Sequence, residues 1–345
     1  MVPKRGNCAV VQDKGVASIR RKAAGPGVNS IETDHAGSPV ANRAHAARIW
    51  NQWLGGKDTF GVDRLAAKEC AALAPGIVDA VRHERKFKAR TVRHLAEAGI
   101  RQFLDIGVGL PLSESSHEIA QRIDSQSHVA YIDDDPAVMA YARALLTSRE
   151  GRAPTHIQAD LSDPQAVALQ AIKVMDDREP VGILLVGTLN FVTDHDDAAA
   201  LVRCLLDAAP AGSFLALAHL SDQVSGEQMQ QAIEHWNKVA HPAITTRSHQ
   251  QVAHLLDGLN LLAPGITTCT QWRPEQTCTP PVDQLGAVGR VPPKRVTTTE
   301  AQASQTAASR SPSRHIVPQG RHRLTWRTST MSSPGGASSI ASSSP

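Results

Sequence analysis

The 345-residue chain has few aromatic residues: five Trp, two Tyr and five Phe, 3% of the whole. No aromatic ladder of the kind that stacks on nucleic-acid bases is present. Its five cysteines (Cys8, Cys70, Cys204, Cys269, Cys278) are scattered, odd in number and without a CxxC pair. That excludes a zinc ribbon and a disulfide framework, and makes a reducing cytoplasm the default location. The fifteen histidines form no HxxxH pair, so no metal site is expected. The longest mostly apolar run, Val181 to Val192, is too short to span a bilayer, and no apolar signal core follows Lys4 and Arg5. No internal repeat occurs. Hydrophobic residues at 41% and charged residues at 20% suit a globular chain long enough to bury a sizeable core.

The formal net charge of +3 is a cancellation. Residues 1–40 carry +3, residues 291–345 carry +6, and the stretch between carries −6. Composition shifts at the same points. After Pro292-Pro293 the chain becomes rich in Ser, Thr and Gln, with no helix or strand period, and cannot bury enough apolar surface to offset its ordering entropy. This predicts a disordered basic N-terminus over 1–38 and a disordered basic Ser/Thr-rich tail over 291–345. With no aromatic ladder and only Trp326 in the tail, nucleic-acid binding is not expected.

The acidic middle alternates. Residues 102–106, 128–132, 155–159, 181–186, 213–218, 259–272 and 285–289 read as strands. Residues 113–123 (Ser113 as N-cap), 136–147, 164–172, 196–208, 225–239 and 248–256 read as helices, and 41–98 reads as all helical. Val181 to Val186 is continuously aliphatic, as a central strand buried on both faces should be. The pattern predicts an α/β fold: a doubly wound, mostly parallel, seven-stranded Rossmann-like sheet over 99–290, with an N-terminal helical cap or lid over 39–98.

Ligands of such sheets sit beyond the carboxyl ends of the strands. Here those positions hold Asp105-Ile-Gly107-Val-Gly109, Asp133-Asp134-Asp135, Asp160-Leu161 and Thr188-Leu-Asn190. Carboxylates repel a phosphate. The dinucleotide fingerprint also needs a third glycine where Leu112 stands, and Glu114, in the expected first turn of the next helix, disfavours an anion. A nucleotide-dependent oxidoreductase is therefore disfavoured. S-adenosyl-L-methionine (SAM) suits the tips better: it has no phosphate, its ribose diol wants a carboxylate, and its sulfonium tolerates an acidic surround. Gly107 and Gly109 would let the backbone approach it closely.

The stretch Phe103-Leu-Asp-Ile-Gly-Val-Gly-Leu-Pro111 resembles the first motif of class I SAM-dependent methyltransferases. The wider pattern resembles an S-adenosyl methyltransferase family typical of actinomycetes, long described as a domain of unknown function. The matching pieces are Ala47 to Phe60 (ARIWNQWLGGKDTF), Ala96 to Ile100, His117-Glu118, Tyr131 to Pro136, Gln158 to Leu161, His219-Leu220, Trp272 to Pro274 and Gly286 to Arg290, spread over about residues 40 to 290. The resemblance implies a SAM-dependent methyltransferase acting on a small-molecule acceptor. It implies that Asp105, Gly107 and Gly109 contact the amino-acid part and backbone edge of SAM. Asp133 would take the ribose, with Asp134 beside it, and Asp160 with Leu161 would read the adenine. Asn190 would line the methionyl end, and Gly55-Gly56-Lys57-Asp58 would fold over the cofactor. Val108, Asp134 and Asn190 replace the Thr, Asn and His usual in that family. An amide does not titrate near neutral pH, so Asn190 cannot act as a base, and no catalytic residue is assigned. The alternative reading is a SAM-binding protein without turnover. His117, His219, Trp50 and Trp53 are read as packing residues.

Overall fold

The computed structural model describes residues 43–112, 114–148, 150–275 and 279–293. The ends expected to be disordered (1–38 and all but the start of 291–345) lie outside the described residues, as do Cys8, Cys278 and Ser113. A two-residue strand, β1 (Ala44–His45), is followed by helices α1 (Ala46–Trp53), α2 (Gly61–Leu73) and α3 (Ile77–Glu97). Then come β2 (Gln102–Ile106), α4 (Ser116–Ile123), β3 (His128–Asp133), α5 (Pro136–Leu145), β4 (Thr155–Gln158), α6 (Pro164–Val174) and β5 (Val181–Val186). A 3-10 turn (Thr188–Phe191) leads to α7 (His195–Ala208), β6 (Phe214–Leu220), α8 (Glu227–Val239), β7 (Ala240–His241) and α9 (His249–Leu255). The described chain closes with β8 (Asn260–Leu261), β9 (Thr267–Thr268) and β10 (Gln284–Arg290).

Local chemistry starts the helices on the sheet's binding side. Both α5 and α6 open with Asp-Pro. Asp135 Oδ1 accepts the N–H groups of Ala137 and Val138 at 2.7 and 3.4 Å, and Asp163 Oδ1 accepts that of Ala166 at 3.0 Å. Pro136 and Pro164 occupy the first helical position, where an N–H has no intrahelical partner. Each such cap contributes about 1 kcal/mol. The capping residue of α4 is Ser115. Glu114 lies before that helix, at φ +60°, paired with Arg122; the acidic residue of the first turn is Glu118, which accepts the Ser115 N–H at 2.9 Å.

The sheet runs in the order β4-β3-β2-β5-β6-β10-β8, with β9 pairing β10 off this path. Strands β4 through β6 pair in parallel, and β10 runs antiparallel to β6. The sheet has eight strands rather than seven because Leu259 to Trp272 is not one strand. Pro264 has no N–H to donate and Gly265 turns the chain at φ +85°, so two short pieces, β8 and β9, pair separately with β10. The N-terminal stretch is not all helical either, since β1 pairs in parallel with β7.

Side chains alternate across the sheet. Leu104, Ile106, Ile183, Leu185, Leu215 and Leu217 pack with α6, α7 and α9 on one face. Phe103, Val129, Tyr131, Leu184, Val186 and Ala216 pack with α3, α4 and α5 on the other. A third cluster joins α1, α2 and α3 to α8 through Ile49, Trp53, Cys70, Ile77 and Trp236. From β2 the chain winds outward to β3 and β4, then returns to β5 on the other side of β2. The carboxyl ends of β2 and β5 thus form the topological switch point, where ligands of doubly wound sheets bind.

Candidate functional site

A cavity of about 1230 Å³ opens at that switch point. Its floor is the set of strand tips, and its other wall comes from α1 and α3. From α1 the wall takes Ala46, Ala47, Arg48, Trp50 and Asn51, with Leu54 just past its end; from α3 it takes Val81, Glu84, Arg85 and Lys88. The α3 set follows the i, i+3, i+4, i+7 spacing that puts side chains on one helical face, and Ala47, Trp50, Asn51 and Leu54 share that spacing.

Gly107 lies at φ +76°, and a Cβ there would come within 2.5 Å of the Thr188 hydroxyl, which donates to the Ile106 carbonyl. Glycine therefore allows the β2 and β5 tips to close on each other. Asp133, at the β3 tip, accepts the N–H groups of Val108 (2.8 Å), Gly109 (3.3 Å) and Asp135 (3.0 Å), tying the glycine loop to β3. Burial outweighs these bonds and pushes its carboxyl up to about 6. Asp160 is exposed, and the Ser162 hydroxyl and N–H that it accepts hold its carboxyl below the usual range. Gly107, Gly109, Asp133, Asp134, Asp160 and Leu161 all line the cavity.

Asp105, Asn190 and the Gly55-Gly56-Lys57-Asp58 segment, also singled out from sequence, do not. Asp105 is buried, with Lys88 Nζ 2.6 Å from Oδ1 and the Ser116 hydroxyl 2.6 Å from Oδ2. Asn190 is buried, and its Oδ1 accepts the Leu220 N–H at 2.9 Å. Lys57 and Asp58 are exposed and away from the cavity, since the chain turns outward after α1 at Gly55 (φ +87°). Their place over the strand tips is taken by the preceding segment, where His45 reaches Asp135 (3.3 Å) from β1. His117 is buried against the Tyr131 hydroxyl at 2.8 Å, and His219 against the Leu220 carbonyl and Arg247. Burial, reinforced by the neighbouring Arg247 charge, pushes His219 down to about 4. Arg247 itself donates to the carbonyls of Leu189, Val192 and Asp194, clamping the turn after β5.

Sequence reasoning missed Glu84, Arg85, Asn51 and Arg247. Glu84 is buried; Trp50 Nε1 donates to its Oε1 at 3.3 Å and Gln284 Nε2 to its Oε2 at 2.5 Å. Burial pushes its carboxyl up to about 7, against the pull of Trp50, Lys88 and Arg85. Asn51 is buried at the cavity wall with neither amide atom hydrogen-bonded. The helical spacing of the α3 stripe is the signal that was available for Glu84 and Arg85, and Asn51 lies within the quoted stretch Ala47 to Phe60. No motif contains Glu84 or Arg85.

The wall fits a ligand with an adenosine end and no phosphate: a glycine loop without a Cβ, four carboxylates at the β3 and β4 tips, and a buried amide with unspent donors and acceptors. Among the described residues no group of three or more His, Cys, Asp or Glu is placed to hold a metal ion, and no helix is long and apolar enough to cross a membrane.

Fold and cavity together define an α/β chain built to bind a nucleoside-bearing cofactor. The pattern of the S-adenosyl methyltransferase family matches residues 34–303. A DUF574-family protein from Streptomyces avermitilis is 33% identical, with 73% of this chain and 99% of that one covered and a TM-score of 0.68. A candidate methyltransferase from Thermobifida fusca is 30% identical, covering 73% of this chain and 96% of that one, with a TM-score of 0.67. No curated protein matches the chain. The chain belongs to the S-adenosyl methyltransferase family: it is a SAM-dependent methyltransferase, and SAM is its cofactor.

Proposed function

We propose that this enzyme methylates a small-molecule acceptor held beside the cofactor under a helical cap. The observation that carries the reading is the size of the cavity. At about 1230 Å³ it exceeds the ~300–1,000 Å³ of ordinary single-ligand pockets, so it has room for a cofactor and a second molecule. In this reading residues 39–98 are the cap and 99–290 the cofactor domain. The adenosyl part lies over the β2, β3 and β4 tips. Asp133 and Asp134 accept from the ribose hydroxyls, Asp160 and the Leu161 backbone read the adenine, and Gly107 and Gly109 let the main chain come close. Trp50, Leu54, Phe191 and Pro242 give the remaining space an apolar, partly aromatic lining that suits an organic acceptor. The scattered cysteines, with no CxxC pair, suit a cytoplasmic enzyme.

When bound, SAM supplies an electrophilic methyl group on a sulfonium. The chain's part is to align and desolvate. The strand tips fix one end of the cofactor, α1 and α3 exclude water from above, and the Trp50–Phe191 pair (ring centroids 5.4 Å apart) holds a rigid apolar face against the acceptor. Proximity of this kind is worth up to ~7–11 kcal/mol of barrier when the reacting atoms are held in line.

The test is transfer of isotopically labelled methyl from SAM in a cell extract supplied with the purified protein. Label in the low-molecular-weight fraction supports the reading. Label confined to protein or nucleic acid, or no transfer from a protein that binds S-adenosylhomocysteine, sinks it.

A further inference from the structure

The methionyl arm of the cofactor ends in a zwitterion, one ammonium and one carboxylate on a single carbon. Asp105, at the end of β2, is the carboxylate that the first motif would offer the ammonium. It is withdrawn from the cavity, with one oxygen on Lys88 and the other on Ser116. The carboxylates that line the cavity among the described residues are Asp133, Asp134, Asp135, Asp160 and Glu84. The first four stand at the β3 and β4 tips. Glu84 stands apart, packed on Gly187 just past β5, where a Cβ would come within 2.7 Å of its oxygens. Two inter-strand steps, β3 to β2 to β5, separate this point from Asp133, roughly 10 Å. That is a span of the order of a methionyl arm.

Glu84 is also under-neutralised. It is faced by the Trp50 indole from α1, Gln284 from β10, the Cys269 thiol, and Arg85 and Lys88 on its own helix. The Lys88 charge is spent on Asp105. Each carboxylate oxygen accepts one hydrogen bond and keeps capacity for another. Burial with so little compensation lifts the carboxyl to about 7, and a cation beside it would reverse that. Of the cavity's cations, Lys88 is paired with Asp105, Arg48 with Asp63, and Arg43 donates to the Ala240 carbonyl. Arg85, half-buried at the wall, makes no ion pair or hydrogen bond among the described residues.

We propose that Glu84 and Arg85, neighbours on α3, form the receptor for the amino-acid head of the cofactor: Glu84 accepts from the α-ammonium and Arg85 donates to the α-carboxylate. The inference rests on the adenosyl placement above. It moves recognition of the head from the glycine motif to α3, the helix packed on the same sheet face as α4 and α5.

Calorimetry with two probes tests it. S-adenosylhomocysteine carries the head; 5′-methylthioadenosine keeps the adenosine and thioether but lacks it. Glu84→Gln is expected to weaken S-adenosylhomocysteine at least tenfold and to change methylthioadenosine by less than twofold. Arg85→Met, at a half-exposed position, should do the same. Wild-type protein should release protons on binding S-adenosylhomocysteine at pH 7, seen as a binding enthalpy that varies with the buffer, and Glu84→Gln should not. Unchanged affinity for S-adenosylhomocysteine in both variants overturns the proposal. So does an equal loss for the two probes, which would mark damage to the fold. A wild-type protein that binds neither probe would sink the adenosyl placement itself.

Discussion

The two ends of the cavity carry carboxylates in opposite surroundings. At the β4 tip Asp160 is exposed and bonded to Ser162, two residues on, and its acidity is strengthened. At the β5 tip Glu84 is enclosed by α1, β10 and Gly187, and its acidity is weakened until it titrates near neutrality. Asp133 lies between, partly compensated by three backbone N–H groups. A local turn stabilises a charge with bonds made by its own neighbours in sequence. A buried charge depends on elements far along the chain and costs folding free energy until a ligand compensates it.

The largest expected effect breaks the pair that keeps Asp105 off the cavity. Lys88→Ala leaves a buried carboxylate without its cation, and stability by urea unfolding should fall by about 3–5 kcal/mol. A loss under 1 kcal/mol would mean that Asp105 finds another partner or the cavity itself. Next comes Glu84. A carboxyl lifted from 4.5 to about 7 holds its proton more tightly in the folded than in the unfolded chain. Stability therefore falls as pH rises through that window, and removing the titration removes the fall. Glu84→Gln should stabilise the ligand-free protein by up to about 3 kcal/mol above pH 7 and by nothing below pH 4.5. A pH-independent difference would refute the burial argument. Smaller still, Asp133→Ala should weaken S-adenosylhomocysteine and methylthioadenosine alike by at least tenfold, about 1.4 kcal/mol, because both carry the ribose. A loss for one probe only would put Asp133 at the wrong end of the cavity. Last, Asp160→Asn, at an exposed site, should cost both probes no more than about threefold. A larger loss would show that its charge reaches the adenine through less water than its exposure indicates.

Much of the architecture was legible in the sequence. The run Val181–Val186 coincides with β5, and β2, β3, β4 and β6 fall within two residues of their expected ends. Aliphatic continuity and Asp-Pro helix starts are local signals, and local hydrogen bonds and sterics enforce them. The acidic tips at Asp133, Asp134 and Asp160 were legible for the same reason, being fixed by the strand that precedes each. What was missed depends on long-range meetings. The bridge between β1 and β7 joins segments with no pattern of their own. The expected strand Leu259 to Trp272 broke at Pro264-Gly265, where turn chemistry overrode an apolar composition. Lys57 and Asp58 were expected over the cofactor but lie exposed beyond the turn that ends α1, outside the cavity lining.

By itself, then, the order of residues determined a doubly wound sheet, its switch point and a row of carboxylates beyond its edge, because strand period, turn chemistry and capping act within a few residues. Only the tertiary structure decided which carboxylates face the cavity. Asp105 and Glu84 are both acidic, and nothing local separates their roles. Packing α3 across the β2 and β5 tips brings Lys88 onto Asp105 and turns Glu84 and Arg85 to the cavity wall. A buried charge must find its counter-charge in three dimensions, and the chain's order alone does not say which it will be.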